Sequence, residues 1–109
     1  MTLLDYQQQA IRTLNPDLTT EQRLANAAMG IASEGGEVVN LLKQYLFQGH
    51  TLDLAQLNLE IGDVLWYLAL LCDTLHLDLE DAAQQNLAKL RKRYPDRFIS
   101  ERSIHREPT

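Results

Sequence analysis

Glu60-Ile61-Gly62-Asp63-Val64-Leu65-Trp66-Tyr67-Leu68-Ala69-Leu70-Leu71-Cys72 decides the fold. From Ile61 to Cys72 only Gly62 and Asp63 interrupt the apolar and aromatic residues. No polar residue alternates with them as in a half-buried strand, and a helix this apolar must be covered on nearly every side. Other helices have to supply the cover. Upstream, Thr19 with Gln22 reads as a capping box opening a helix to about Phe47, with Gly49 as its stop. Asp53 with Gln56 repeats the signal for the third helix, which continues to about Leu75. A first helix fits residues 2–14, ended by Asn15-Pro16-Asp17, and a fourth runs from Asp78 to Tyr94-Pro95. Four helices with short connections predict an all-α, antiparallel four-helix bundle-like domain over residues 1–95, with a loosely held polar tail over 96–109. A chain of 109 residues can scarcely bury the third helix alone, so the expectation is a homodimer or homotetramer with these helices central.

Composition narrows the class. Apolar residues make up 45% and charged residues 23%, as in ordinary globular proteins. The one cysteine, Cys72, excludes an internal disulfide and reads as a buried, reduced thiol. Met1-Thr2-Leu3-Leu4-Asp5 lacks the basic-then-apolar order of a signal peptide, and the run Val64 to Cys72 is too short to span a bilayer. A cytoplasmic protein with no membrane partner is therefore expected. The net charge of −5 is unevenly placed: residues 1–88 carry −9 and residues 89–109 carry +4. An acidic chain without interleaved aromatic and basic residues also lacks a nucleic-acid footprint.

Two acid pairs carry the chemistry. Glu34-Gly35-Gly36-Glu37 and Glu60-Ile61-Gly62-Asp63 each place two carboxylates three residues apart, on one face of a helix. Such pairs are common on solvated faces. Here they sit near the middle of two long, apolar helices, where four carboxylates would repel and lose solvation without a cation between them. Gly30, Gly35, Gly36 and Gly62 also fall in helix interiors, each costing about 1 kcal/mol relative to Ala. Close helix approach or backbone–ligand approach would offset that cost. Carboxylates alone suit Mg²⁺, with Mn²⁺ as a substitute. None of His50, His76 and His105 stands three residues after one of these acids, which disfavours a di-iron centre. Hydrated Mg²⁺ takes its remaining ligands from water and phosphate, so a polyphosphate is the implied substrate.

The basic complement lies on the fourth helix. Asn86, Lys89 and Arg93 are spaced i, i+3, i+7 as one polar stripe, opposite Ala83, Leu87 and Leu90. Lys43, two turns after Glu37, is a further candidate for phosphate. Trp66 and Tyr67 read as core or subunit interface rather than as a platform for a base.

Three segments, in order, resemble the MazG-type nucleoside triphosphate pyrophosphohydrolases. The first is Leu24-Ala25-Asn26-Ala27-Ala28-Met29-Gly30-Ile31-Ala32-Ser33-Glu34-Gly35-Gly36-Glu37-Val38 and the second Glu60-Ile61-Gly62-Asp63-Val64-Leu65-Trp66-Tyr67-Leu68. Asn86-Leu87-Ala88-Lys89-Leu90-Arg91-Lys92-Arg93-Tyr94-Pro95 is similar to the family's closing segment. The resemblance covers about residues 20–95. It implies an all-α enzyme that cleaves a nucleoside triphosphate, such as a (d)NTP, between the α and β phosphates to release the monophosphate and pyrophosphate, in nucleotide-pool sanitation. By the same resemblance Glu34, Glu37, Glu60 and Asp63 are the Mg²⁺ ligands and catalytic acids, and Lys89 and Arg93 touch phosphates. A dUTPase-like or phosphoribosyl-ATP pyrophosphohydrolase activity in the same superfamily, or a non-catalytic helical dimerisation module, are the alternatives.

Overall fold

Capping residues set the helix starts. In the computed structural model, described here for residues 1–105, Thr2 Oγ1 accepts a hydrogen bond from the Asp5 N–H, and the Asp5 carboxylate accepts one from the Thr2 N–H. That box opens α1, Leu3–Ile11. Thr19 and Gln22 form the same reciprocal pair at the head of α2, Thr20–Phe47. Beyond α2, Gly49 takes φ +74°, and the His50 N–H returns to the Gln44 carbonyl. Asp53 caps α3, Leu54–Thr74, by accepting from the Gln56 N–H. Helix α4 runs Leu79–Arg93 and stops before Tyr94-Pro95. A short α5, Ser100–Ile104, forms inside the segment expected to be an irregular tail; its residues 106–109 lie outside the described ones. Helix α1 ends at Ile11 rather than near residue 14, because Thr13 and Leu14 bond back three residues in a turn.

The described residues are all-α, with no strand. By contacts the chain falls into two compact units, Met1–Leu79 and Glu80–Thr109. In the first, α2 and α3 pack along each other and α1 crosses α3. Ala27, Ala69 and Leu70 are fully buried between these helices. Trp66 ties α3 to α1, its indole N–H donating to Thr13 Oγ1 at 2.9 Å and the Ala10 carbonyl at 3.2 Å. Gln7 is 4% exposed and clamps the end of α3: its amide nitrogen donates to the Leu77 carbonyl and its amide oxygen accepts from the Leu79 N–H. His76, inside that turn, has φ +57°. In the second unit, the rings of Tyr94 and Phe98 pack at 5.3 Å.

Leu87 and Leu90, on the side of α4 opposite the Asn86–Lys89–Arg93 stripe, are exposed, and no residue of α4 is buried. Helix α3 is, by length and composition only, the one helix among the described residues long and apolar enough to cross a membrane, a test that a core helix also passes. The helix begins at Leu54, as the Asp53 cap predicts, and so extends well before the apolar run. Within the first unit this same helix has α1 and α2 packed on it and carries Glu60 and Asp63.

Candidate metal centre

The acid pairs meet where α2 and α3 run side by side. Gly30 and Tyr67 fix the spacing there: Gly30 is buried, and a methyl group added to it would overlap the Tyr67 ring. Tyr67 is braced in turn by Trp66, ring edge to face at 5.0 Å. One turn along from this contact, in opposite chain directions, stand Glu34 on α2 and Asp63 on α3. Of the four helical glycines, only Gly30 is used for close approach; added methyls at Gly35, Gly36 and Gly62 would meet nothing within 4 Å.

Glu34, Glu60 and Asp63 each offer a carboxylate oxygen such that all three atoms lie within 4.8 Å of one another. Glu34 shares a hydrogen bond with Glu60, which holds its carboxyl above the usual range; burial, and then the charges of Glu60, Asp63 and Glu37, push it the same way. Every charge acting on Glu34 is therefore negative. Such a set has the chemistry of a hard-cation site: oxygen donors, excess negative charge, and a carboxyl pushed upward by repulsion that a cation would relieve. Glu37 is exposed and stands outside the group of three, although its charge reaches Glu34.

Two neighbours were not read as site residues from sequence. The Gln56 side chain, expected to complete a capping box, instead donates to Glu60 Oε1 at 2.7 Å. The signal was present as an i, i+4 pair on one helix face. Tyr6 of α1 has its phenol raised by burial and then by the charge of Asp63, so α1 reaches the edge of the cluster. Lys43 lies exposed on α2. In the second unit, Asn86 and Lys89 are exposed and share a surface groove with Gln85 and Lys92, while Arg93 is half-buried. The three histidines are exposed, and none joins the acid cluster. Burial and the Asp78 charge raise the Cys72 thiol, so it is a weak nucleophile.

The family model of the MazG nucleotide pyrophosphohydrolase domain matches residues 22–98, which hold both acid pairs and the polar stripe of α4. The chain belongs to the MazG family. The MazG match begins in the first turn of α2 and runs through α3 and α4, while α1 lies outside it. Among curated proteins, this MazG chain is similar to the "Gene 37 protein" of Mycobacterium phage L5, at 33% identity over 81 residues and 71% of each chain. No solved structure matches.

Proposed function

We propose that this MazG domain hydrolyses a nucleoside triphosphate, in particular a (d)NTP, between the α and β phosphates, giving the monophosphate and pyrophosphate. The convergence of Glu34, Glu60 and Asp63 carries the reading, because three oxygen donors with an uncompensated negative field suit a divalent cation and its phosphate ligands. In this account Glu34, Glu37, Glu60 and Asp63 hold Mg²⁺, for which Mn²⁺ can substitute. The bound ion supplies charge neutralisation of the triphosphate and polarisation of the α-phosphoryl group.

The chain's own residues do the rest. Glu34 takes the proton from the attacking water; its carboxyl is already biased towards holding a proton. The water oxygen bonds to the α phosphorus as the bond to the bridging oxygen breaks, and pyrophosphate leaves with that oxygen's electron pair. Gln56 keeps Glu60 oriented. Asn86, Lys89 and Arg93 on α4 bind the phosphates, with Arg93 offering a planar fork and Lys89 a point charge; Lys43 falls on the side of α2 opposite Glu34 and takes no part. The setting is cytoplasmic pool sanitation by a homodimer or homotetramer, without nucleic acid or a membrane as partner.

Glu37→Gln and Asp63→Asn test the assignment. Each should lower kcat at least 100-fold in Mg²⁺ while leaving the helical circular dichroism unchanged. Full activity in both variants would remove the acid cluster from the reaction.

A further inference from the structure

Helix α1 lies outside the residues that match the MazG family model, yet it packs on α3, which supplies two of the three converging acids. Hydrogen bonds distant in sequence fix its seat. Trp66, one turn from Asp63, holds Ala10 and Thr13, and Gln7 is locked to Leu77 and Leu79. Tyr6 stands beside Gln7 and one turn from Ala10, so its ring is carried between these two anchors. A side chain on an element held this way is positioned before any ligand arrives.

Three polar side chains of α1 and its following turn belong to this contact: Tyr6, Gln7 and Thr13. Gln7 commits its amide nitrogen and oxygen to the turn beyond α3. Thr13 accepts from the Trp66 indole and donates to the Ala10 carbonyl. The Tyr6 hydroxyl makes no hydrogen bond among the described residues, although the ring is half-buried, and its oxygen still reaches solvent. The charge of Asp63 acts on that oxygen, which sets it at the edge of the carboxylates.

Asp63 does not take this donor, so its acceptor has to come from outside the chain. Beside a cation held by carboxylates, the outside acceptors are the ion's other ligands, and for a hard cation on a triphosphate these are phosphate oxygens. The first unit offers little else to them. No basic side chain acts on Glu34, and the Gln56 amide already donates to Glu60. A phenol supplies a donor here without a positive charge that would compete with the cation for the carboxylates.

We propose that the Tyr6 hydroxyl donates a hydrogen bond to a phosphate oxygen of the bound triphosphate, which makes α1 part of the substrate site. This rests on the assignment of a Mg²⁺-bound triphosphate to the acid cluster.

Tyr6→Phe removes the hydroxyl and keeps the ring. In calorimetric titrations with Mg²⁺, its dissociation constants for inorganic tripolyphosphate and for the α,β-imido analogues of the four canonical dNTPs should rise by a common factor. That factor is about 10- to 100-fold, the loss of one hydrogen bond to a charged acceptor. Affinity for Mg²⁺ alone and the melting temperature should stay as in the wild type. Gln8→Ala, exposed on the far side of α1, should change none of these. Unaltered polyphosphate affinities in Tyr6→Phe overturn the proposal. A loss confined to the nucleotides would move the contact to sugar or base, and a loss of Mg²⁺ affinity would make Tyr6 a support for Asp63; either result excludes the phosphate contact. Binding also separates this proposal from the reaction. Wild-type protein that binds the imido analogues but hydrolyses no triphosphate would refute the hydrolase reading and leave the Tyr6→Phe comparison decisive, whereas wild-type protein that binds no polyphosphate would refute both.

Discussion

The Tyr67 ring rests on the backbone of Gly30, one helical turn from both Asp63 and Glu34. This contact sets how closely α2 and α3 approach where the carboxylates converge, so packing and chemistry are linked through a glycine. Gly30→Ala would gain about 1 kcal/mol of helix propensity, but its methyl must displace the ring, at about 1–3 kcal/mol of overpacking. The melting temperature should fall, and Mg²⁺ affinity should fall with it. Thermal melts and calorimetric titration of Gly30→Ala read both, and Gly36→Ala, with open space around it, should raise the melting temperature instead.

Gln56 tests the support behind the ligands. Its hydrogen bond to Glu60 is exposed, so Gln56→Ala should change stability by about 1 kcal/mol or less. If Glu60 needs that orientation, Mg²⁺ affinity should drop about 10-fold or more. Equal affinities by titration calorimetry would leave Gln56 as a capping residue only.

Glu34 gives a pH dependence with a definite sign. Its folded carboxyl holds a proton to higher pH than its unfolded counterpart, whose ordinary value is 4.5. Between those two values the folded state is the one with the proton, so this contribution to stability is complete below the unfolded pKa and is lost as pH rises through the folded one. Metal-free protein should thus lose melting temperature over that window, and Glu34→Gln should flatten the loss. Mg²⁺ binding in the same window should release a proton, seen as a buffer-dependent heat of binding.

Gln7 anchors the turn between α3 and α4 from 70 residues away, through Leu77. Gln7→Leu would leave the Leu77 carbonyl and the Leu79 N–H without this partner, at about 1–3 kcal/mol. Gln7→Glu keeps the acceptor for Leu79 and loses the donor, so it should fall between the two in urea denaturation.

The helices were legible because capping and periodicity act locally: Thr19 with Gln22, Asp53 with the Gln56 N–H, and Gly49 mark ends that the structure keeps. The three-carboxylate convergence was also foreshadowed, since the i, i+3 spacing puts Glu60 and Asp63 on one face and leaves Glu34 to come from the neighbouring helix. What was hidden depends on rotamers and on contacts distant in sequence. Nothing local shows whether the Gln56 amide turns to the cap or to Glu60, or that Gln7 is spent on a turn beyond α3. Nor does composition tell which glycine is packed and which are open: Gly30 meets Tyr67, while Gly35, Gly36 and Gly62 meet nothing. Leu87 and Leu90 are apolar yet exposed on α4, which periodicity alone does not show.

The bond that breaks is the most direct test of the central claim. The protein is incubated with Mg²⁺ and a panel of canonical and modified (d)NTPs in ¹⁸O-labelled water, and the products are identified by ³¹P NMR and mass spectrometry. The account predicts a nucleoside monophosphate and pyrophosphate as first products from at least one substrate, with the label on the monophosphate because water attacks the α phosphorus. Orthophosphate as the first product, or no turnover of any triphosphate, would contradict it.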